Sequence, residues 1–225
     1  MPLMRPLALL LITTLAVAAG ASPSAASGPL TTETQIVASL APGRAAPSTR
    51  RPRALRVDVL MRWGKPVSEE RRTLQHVSFL FPRGSVYNGA KFPRCGLDVL
   101  SRGTMKPCPK GSMMGRGRAT ADADTSPTEA RITVFNGGPT RVYFFVEMDN
   151  PAVVRAPVIG RVTKRSGRWA YQLDLDVPRE LQVVGGVPIV MNEVRVSVGR
   201  RDWLAATSWP TAVGVSTTLG FPGIA

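Results

Sequence analysis

The sequence predicts an all-β protein, a single antiparallel β-sandwich of immunoglobulin-like or jelly-roll-like type spanning residues 54–225. Three observations carry that expectation. After Ala54, short apolar runs alternate with clusters of Gly, Pro, Asn and Asp, the punctuation that reversals between antiparallel strands need. Between Trp169 and Val177 the alternation is strict: Trp169, Tyr171, Leu173, Leu175 and Val177 fall on one face of a strand, Gln172, Asp174 and Asp176 on the other. Apolar residues at helical spacing are scarce, and only Gly96 to Arg102 reads as a short helix or loop.

Taken in order, Leu55, Val57 and Val59 alternate with Arg56, Asp58 and Leu60 as a first strand, and His76 to Phe81 forms a second, aromatic-rich run. Arg131 to Phe135 and Arg141 to Glu147 flank Asn136-Gly137-Gly138-Pro139 as a hairpin, with the proline favouring a loop longer than two residues. Val153 to Thr163 and Trp169 to Val177 flank the turn at Arg165-Ser166-Gly167 as another. Ile189 to Val198 repeats the strand pattern, and the Gly-, Thr- and Pro-rich stretch from Asp202 onward adds a final strand or two. Seven to nine strands result, a spacing typical of sandwiches and barrels.

The first 53 residues have a different character. Arg5 precedes an apolar run from Leu7 to Ala19, and Ala19-Gly20-Ala21 satisfies the small-x-small rule, so residues 1–21 read as a secretory signal peptide cleaved after Ala21, with a second qualifying site after Ala26. The run is too short and too interrupted, by Thr13 and Thr14, for a spanning helix, and no later stretch is apolar enough to be one. Residues 22–53 are rich in Ala, Pro, Ser and Thr and read as a flexible basic linker that cannot bury enough surface to offset its ordering entropy. It ends in Arg50-Arg51-Pro52-Arg53. The expected location is therefore extracellular or in the cell envelope.

An oxidising compartment suits the two cysteines, Cys95 and Cys108, which read as one disulfide. Closing that segment would stabilise the fold by roughly 3 kcal/mol in the chain-entropy model. A redox pair lacks Cys-x-x-Cys, and a zinc site would have to borrow carboxylates because His76 is the only histidine.

Catalytic constellations are thin. Any serine or cysteine triad must use His76, and Ser112 in Gly111-Ser112-Met113-Met114-Gly115 departs from the Gly-x-Ser-x-Gly elbow by one residue. Residues Gly111 to Gly117 lack the Gly-Lys-Ser/Thr ending of a phosphate loop. Asp122, Asp124 and Ser126 have the spacing of the first ligands of a calcium loop, without its sharp-turn glycine or distal glutamate. No cofactor, metal or catalytic residue is implied, and the enzymatic alternative is a secreted hydrolase whose acid and base are two of Asp122, Asp124, Asp174 and Asp176 converging in a cleft.

Charge is the remaining feature. The chain carries 29 basic and 15 acidic residues, a net +14. From Val57 onward 23 basic residues face 14 acidic ones, so the excess is not confined to the linker. Specific nucleic-acid motifs are missing, which leaves anionic envelope polymers and lipid head groups as the partners such a surface would meet. Arg50, Arg51, Arg53, Arg116 and Arg118 are the candidate anion-binding residues.

Phe92-Pro93-Arg94-Cys95, Cys108-Pro109-Lys110-Gly111-Ser112, Gly115-Arg116-Gly117-Arg118-Ala119 and Phe135-Asn136-Gly137 together resemble a group of secreted actinobacterial proteins of unknown function, over roughly Leu55 to Val198. The resemblance implies a β-sandwich behind a signal peptide, with paired cysteines bracketing an excursion between strands. Many such proteins carry a further Cys-Pro pair near the C-terminus, where this chain has Ser208-Trp209-Pro210. It implies no catalytic residue. The function expected is that of an exported, non-catalytic binding or structural module attached to anionic envelope polymers.

Overall fold

A computed structural model describes residues 32–40, 46–64, 72–209 and 212–221. The expected signal segment, with Ala21 and Ala26, lies outside them. The described residues form thirteen strands: β1 Thr32–Leu40, β2 Arg53–Trp63, β3 Thr73–Pro82, β4 Ser85–Tyr87, β5 Met113–Ala123, β6 Ser126–Asn136, β7 Arg141–Met148, β8 Val154–Lys164, β9 Trp169–Asp176, β10 Val183–Val184, β11 Val187–Val198, β12 Leu204–Ala206 and β13 Gly214–Gly220. Two helices of one turn, α1 Leu97–Leu100 and α2 Arg179–Gln182, interrupt them. The protein is all-β, antiparallel and sandwich-like.

Strands β5 to β9 run as an up-and-down meander of sequential neighbours. On the β5 side the sheet continues through β11 and β2 to β1; on the β9 side it continues through β3 to β13. Although consecutive in the chain, β2 and β3 stand near opposite ends of this ribbon, and their inner side chains meet because the ribbon curls around one core. Met61, Val77, Phe79, Val134, Leu173 and Val196 belong to the same buried cluster.

Two β-bulges keep that inner face continuous. One extra residue at Asn192 lets Met191 and Val194 both point inward, and one at Gln75 does the same for Leu74 and Val77. The alternation expected of β9 is present, with Leu173 and Leu175 buried and Gln172, Asp174 and Asp176 on the outer face.

On β6 and β7 the alternation fails for a physical reason. Ile132 through Asn136 are all buried, because the outer face of the meander is covered as well. The cover is the excursion between β4 and β5, closed by the Cys95–Cys108 disulfide with Cα atoms 4.9 Å apart. Leu100 of α1 packs there with Phe135, Tyr143 and Phe145. Gly96 to Arg102 thus contains a helix, as expected, but one of a single turn.

Asn136 ties the cover to the sheet. Its side chain is fully buried, and Nδ2 donates to the carbonyls of Gly89 (2.9 Å), Phe92 (3.1 Å) and Pro93 (3.0 Å). Its Oδ1 accepts from Trp203 Nε1 at 3.1 Å. Tyr87 reaches the same site, donating to the carbonyl of Gly138 at 2.7 Å, and burial pushes its phenol pKa well up.

Two elements differ from the sequence reading: the one-turn helix α2 at Arg179–Gln182, where only Gly96 to Arg102 is expected to be helical, and a strand inside the expected linker. Thr32–Leu40, inside the stretch read as a flexible linker, is the nine-residue strand β1, paired antiparallel to β2 from Thr32↔Trp63 to Leu40↔Leu55. Ile36 packs against the core from this edge. Composition undervalues such a segment because its ordering is offset by backbone bonds to an existing strand edge, which no local window contains. Ten strands are seven residues or longer: the upper limit expected for the domain, plus β1.

Candidate functional site

The outer face of β1, β2, β11, β5 and β6 forms a trough of about 850 Å³. Gln35 and Val37 line it from β1, Met105 from the cross-linked excursion and Met113 from the first residue of β5. Four arginines line it as well: Arg116 and Arg118 from β5, Arg131 from β6 and Arg195 from β11.

Register explains their grouping. Arg118 lies directly opposite Arg131 on one neighbouring strand and Arg195 on the other, so three guanidinium groups stand in a row across three strands. Arg116 follows two residues along β5, opposite Thr133 and Ser197. Directly opposed like charges destabilise a sheet. Arg131 is drawn aside by Glu147 (3.9 Å) and Asp149 (3.4 Å), and Arg195 by Glu193. Arg116 and Arg118 are exposed and have no carboxylate partner among the described residues.

Glycines make this row compact. A Cβ at Gly117 would stand 2.4 Å from the Arg195 carbonyl oxygen, and one at Gly115 would stand 2.2 Å from that of Ser197. The alternation Gly115-Arg116-Gly117-Arg118 therefore presents two arginines outward while the bare inward positions let β5 press against β11.

The acidic residues in the trough, Asp58 and Glu147, and Glu193 beside it are already engaged. Asp58 accepts Arg56 at 3.1 Å, and Glu147 faces Arg155 at 3.4 Å. Glu193 is held down to about 2, first by its hydrogen bond from Arg195 and then by that from Arg62. Positive charge is left in excess over the floor.

Of the five arginines singled out in the sequence, the structure brings Arg116 and Arg118 together. Arg50, Arg51 and Arg53 do not line the trough: Arg53 opens β2 beside β12, and Arg51 lies in a bend closed by reciprocal backbone bonds with Ser48. From Arg53 to Asp58 is about 17 Å of extended strand at ~3.3 Å per residue. Sequence reading missed Arg131 and Arg195, which become neighbours of Arg118 only through pairing.

The candidate carboxylates separate into two places. Asp122 and Asp124 sit at the tip of the β5–β6 hairpin, where Asp124 takes φ 59°. Asp174 and Asp176 share the outer face of β9 with His76 and Ser78 of β3. Asp176 Oδ1 meets His76 Nδ1 at 2.8 Å and its Oδ2 accepts Arg161 at 2.9 Å, while Asp174 accepts Ser78 Oγ at 2.8 Å. The Ser78 hydroxyl is thus engaged by Asp174 rather than by His76, so the set lacks the nucleophile–base bond of a triad. It occupies an open sheet surface, with 55% of the Asp176 side chain exposed.

Ser112 is fully buried and donates to the Pro109 carbonyl at 2.6 Å, a structural turn rather than an exposed nucleophile. No helix among the described residues is long and apolar enough to cross a membrane. Comparison of the chain with protein-family models, with curated proteins and with solved structures gives no match.

Proposed function

We propose that the chain is an exported, non-catalytic binding module that attaches to anionic polymers of the cell envelope, or to anionic lipid head groups, through Arg116, Arg118, Arg131 and Arg195. The observation that carries this reading is the opposition of Arg118 to both Arg131 and Arg195 with no acid interleaved. Such a row is relieved when a bound anion threads it, and guanidinium forks suit phosphate and carboxylate oxygens. The disulfide agrees with export. The basic residues ahead of β2 add long-range attraction rather than contacts.

Co-sedimentation with isolated envelope polymers and with anionic vesicles across a salt series tests the proposal. Binding that weakens with salt and is lost in Arg116→Gln/Arg118→Gln is expected. Full binding by that variant would reject the trough.

A second reading, a hydrolase working through paired carboxylates, draws on the convergence of Asp174 and Asp176 around His76. It has less support, because Asp176 stands on an exposed sheet surface and the Ser78 hydroxyl is engaged by Asp174 rather than by His76. Turnover of a polysaccharide or ester substrate abolished by Asp174→Asn would reverse that preference.

A further inference from the structure

The curled ribbon ends in β1 on one side and in β13 on the other. β13 is hydrogen-bonded to β3 along one side, and among the described residues its other side has no partner strand. Every second residue there turns its N–H and C=O outward, a template for a further strand that proteins ordinarily blunt with charge, proline or a bulge. β13 has none of these. Gly214–Gly220 contains no charged residue and no proline, and the bulge in its pairing lies at Gln75 of β3. No charged side chain follows Asp202, in a chain of which 20% is charged and whose net charge is +14. Two copies of so basic a protein repel each other over most of their surface, and this edge is where the repulsion is weakest.

A two-fold axis between like copies requires an edge that matches its own reverse. Val213 to Phe221 does. With the axis at Thr217, Val213 stands opposite the partner's Phe221, Gly214 opposite the partner's Gly220, Val215 opposite the partner's Leu219 and Ser216 opposite the partner's Thr218. Apolar residues meet apolar ones, hydroxyls meet hydroxyls and glycine meets glycine, and such cross-strand pairs are the favourable ones. Opposed residues also share a face of the sheet. Val213, Val215 and Leu219 pack toward the core, so the pairing carries the inner apolar row across the axis, while exposed Ser216 and Thr218 meet on the outer face. Phe221, 40% exposed at the end of the row, gains a covering valine.

The Arg72 guanidinium lies over the Phe221 ring at 5.3 Å. The axis sends the two Phe221 rings to opposite ends of the ladder, about 26 Å apart at ~3.3 Å per residue and well beyond the ~8 Å screening length, so these cations do not oppose the pairing. The other end of the ribbon fails the same comparison. Centred on Ile36, β1 would set Thr32 against Leu40, Thr34 against Ala38 and Gln35 against Val37, a polar residue against an apolar one each time, and it carries Glu33.

We propose that the chain forms a two-fold symmetric dimer through antiparallel pairing of β13 with β13 of a second copy, centred on Thr217. The proposal does not depend on the anion-binding reading. One such ladder is a small interface, so the association is reversible and grows with concentration.

Sedimentation velocity of the purified, disulfide-bonded protein over a concentration series should show a monomer giving way to a dimer and to nothing larger. Ser216→Lys/Thr218→Lys changes two exposed positions and sets lysine against lysine twice across the axis; a dimer about tenfold weaker or more, with unchanged circular dichroism, is expected. Ser216→Glu/Thr218→Glu should behave in the same way alone. An equimolar mixture of the two variants should recover the dimer, because each lysine then opposes a glutamate. The proposal is overturned if the unaltered protein stays monomeric at every concentration, or if the lysine variant dimerises as the unaltered protein does. Assembly that runs past the dimer would overturn it in favour of head-to-tail pairing of β13 with β1. A mixture that fails to recover the dimer would overturn the axis at Thr217.

Discussion

The indole N–H of Trp203 donates to the amide oxygen of Asn136 at 3.1 Å, joining two residues 67 apart in sequence deep inside the protein. Asn136 closes β6, and Trp203 immediately precedes β12. Because the other end of the amide holds the carbonyls of Gly89, Phe92 and Pro93, this one side chain fastens the sheet, the cross-linked excursion and the C-terminal region together.

Replacing Asn136 with Ala strands several buried polar groups at once. A loss of about 3 kcal/mol or more is expected, at the high end for single substitutions. Trp203→Phe keeps most of the packing and removes one bond, so a loss of about 1–2 kcal/mol should follow. Urea unfolding followed by tryptophan fluorescence and circular dichroism orders the two variants; equal midpoints for wild type and Asn136→Ala would deny the residue its role.

The disulfide holds down the cover over Phe135, Tyr143 and Phe145. Cys95→Ala/Cys108→Ala is expected to cost roughly 3 kcal/mol by the chain-entropy model, and Leu100→Ala about 2–5 kcal/mol for a fully enclosed leucine. Alkylation without reductant, read by mass spectrometry, should label neither cysteine. Hydrogen exchange in the reduced protein should accelerate first around α1, and uniform acceleration would argue against a local cover.

Arg118→Gln should leave stability unchanged or slightly raised, since the wild-type side chain opposes Arg131 and Arg195 and gives up no carboxylate partner among the described residues. Its binding to anionic polymers should nevertheless fall. Parallel melts and co-sedimentation separate the two effects. A variant that both unfolds earlier and binds less would point to a structural arginine instead.

Glu193 titrates in the folded protein near 2, below its ordinary value of 4.5, through Arg195 first and Arg62 second. A depressed carboxylate contributes stability that is fully present above its unfolded pKa and is lost as pH falls from about 4.5 toward 2. The pair is at the surface, so the contribution is small and salt-sensitive. Glu193→Gln should flatten the unfolding midpoint against pH within that window alone. At neutral pH the same change releases Arg195 to the trough, and anion binding should tighten.

Strand β1 forms one wall of the trough through Gln35 and Val37. Removing residues 32–40 strips the edge of β2 from Leu55 to Trp63 of its partner, which should promote self-association at that edge as well as weaken binding. Sedimentation velocity on the shortened protein checks this; a well-behaved monomer with intact binding would show that β1 is dispensable.

The chain itself determined the all-β class, because punctuation and period-two alternation are local properties, visible at Trp169–Val177 without any partner strand. It also determined the Cys95–Cys108 pairing, there being no other cysteine to compete. Tertiary structure decided the rest. Buried runs such as Ile132–Asn136 lose their alternation because a distant excursion covers their second face, and β1 is ordered by an edge that its own composition cannot announce. The arginine row belongs to neither β5, β6 nor β11 alone: Arg118 meets Arg131 and Arg195 through register, a relation between strands that sequence spacing does not encode.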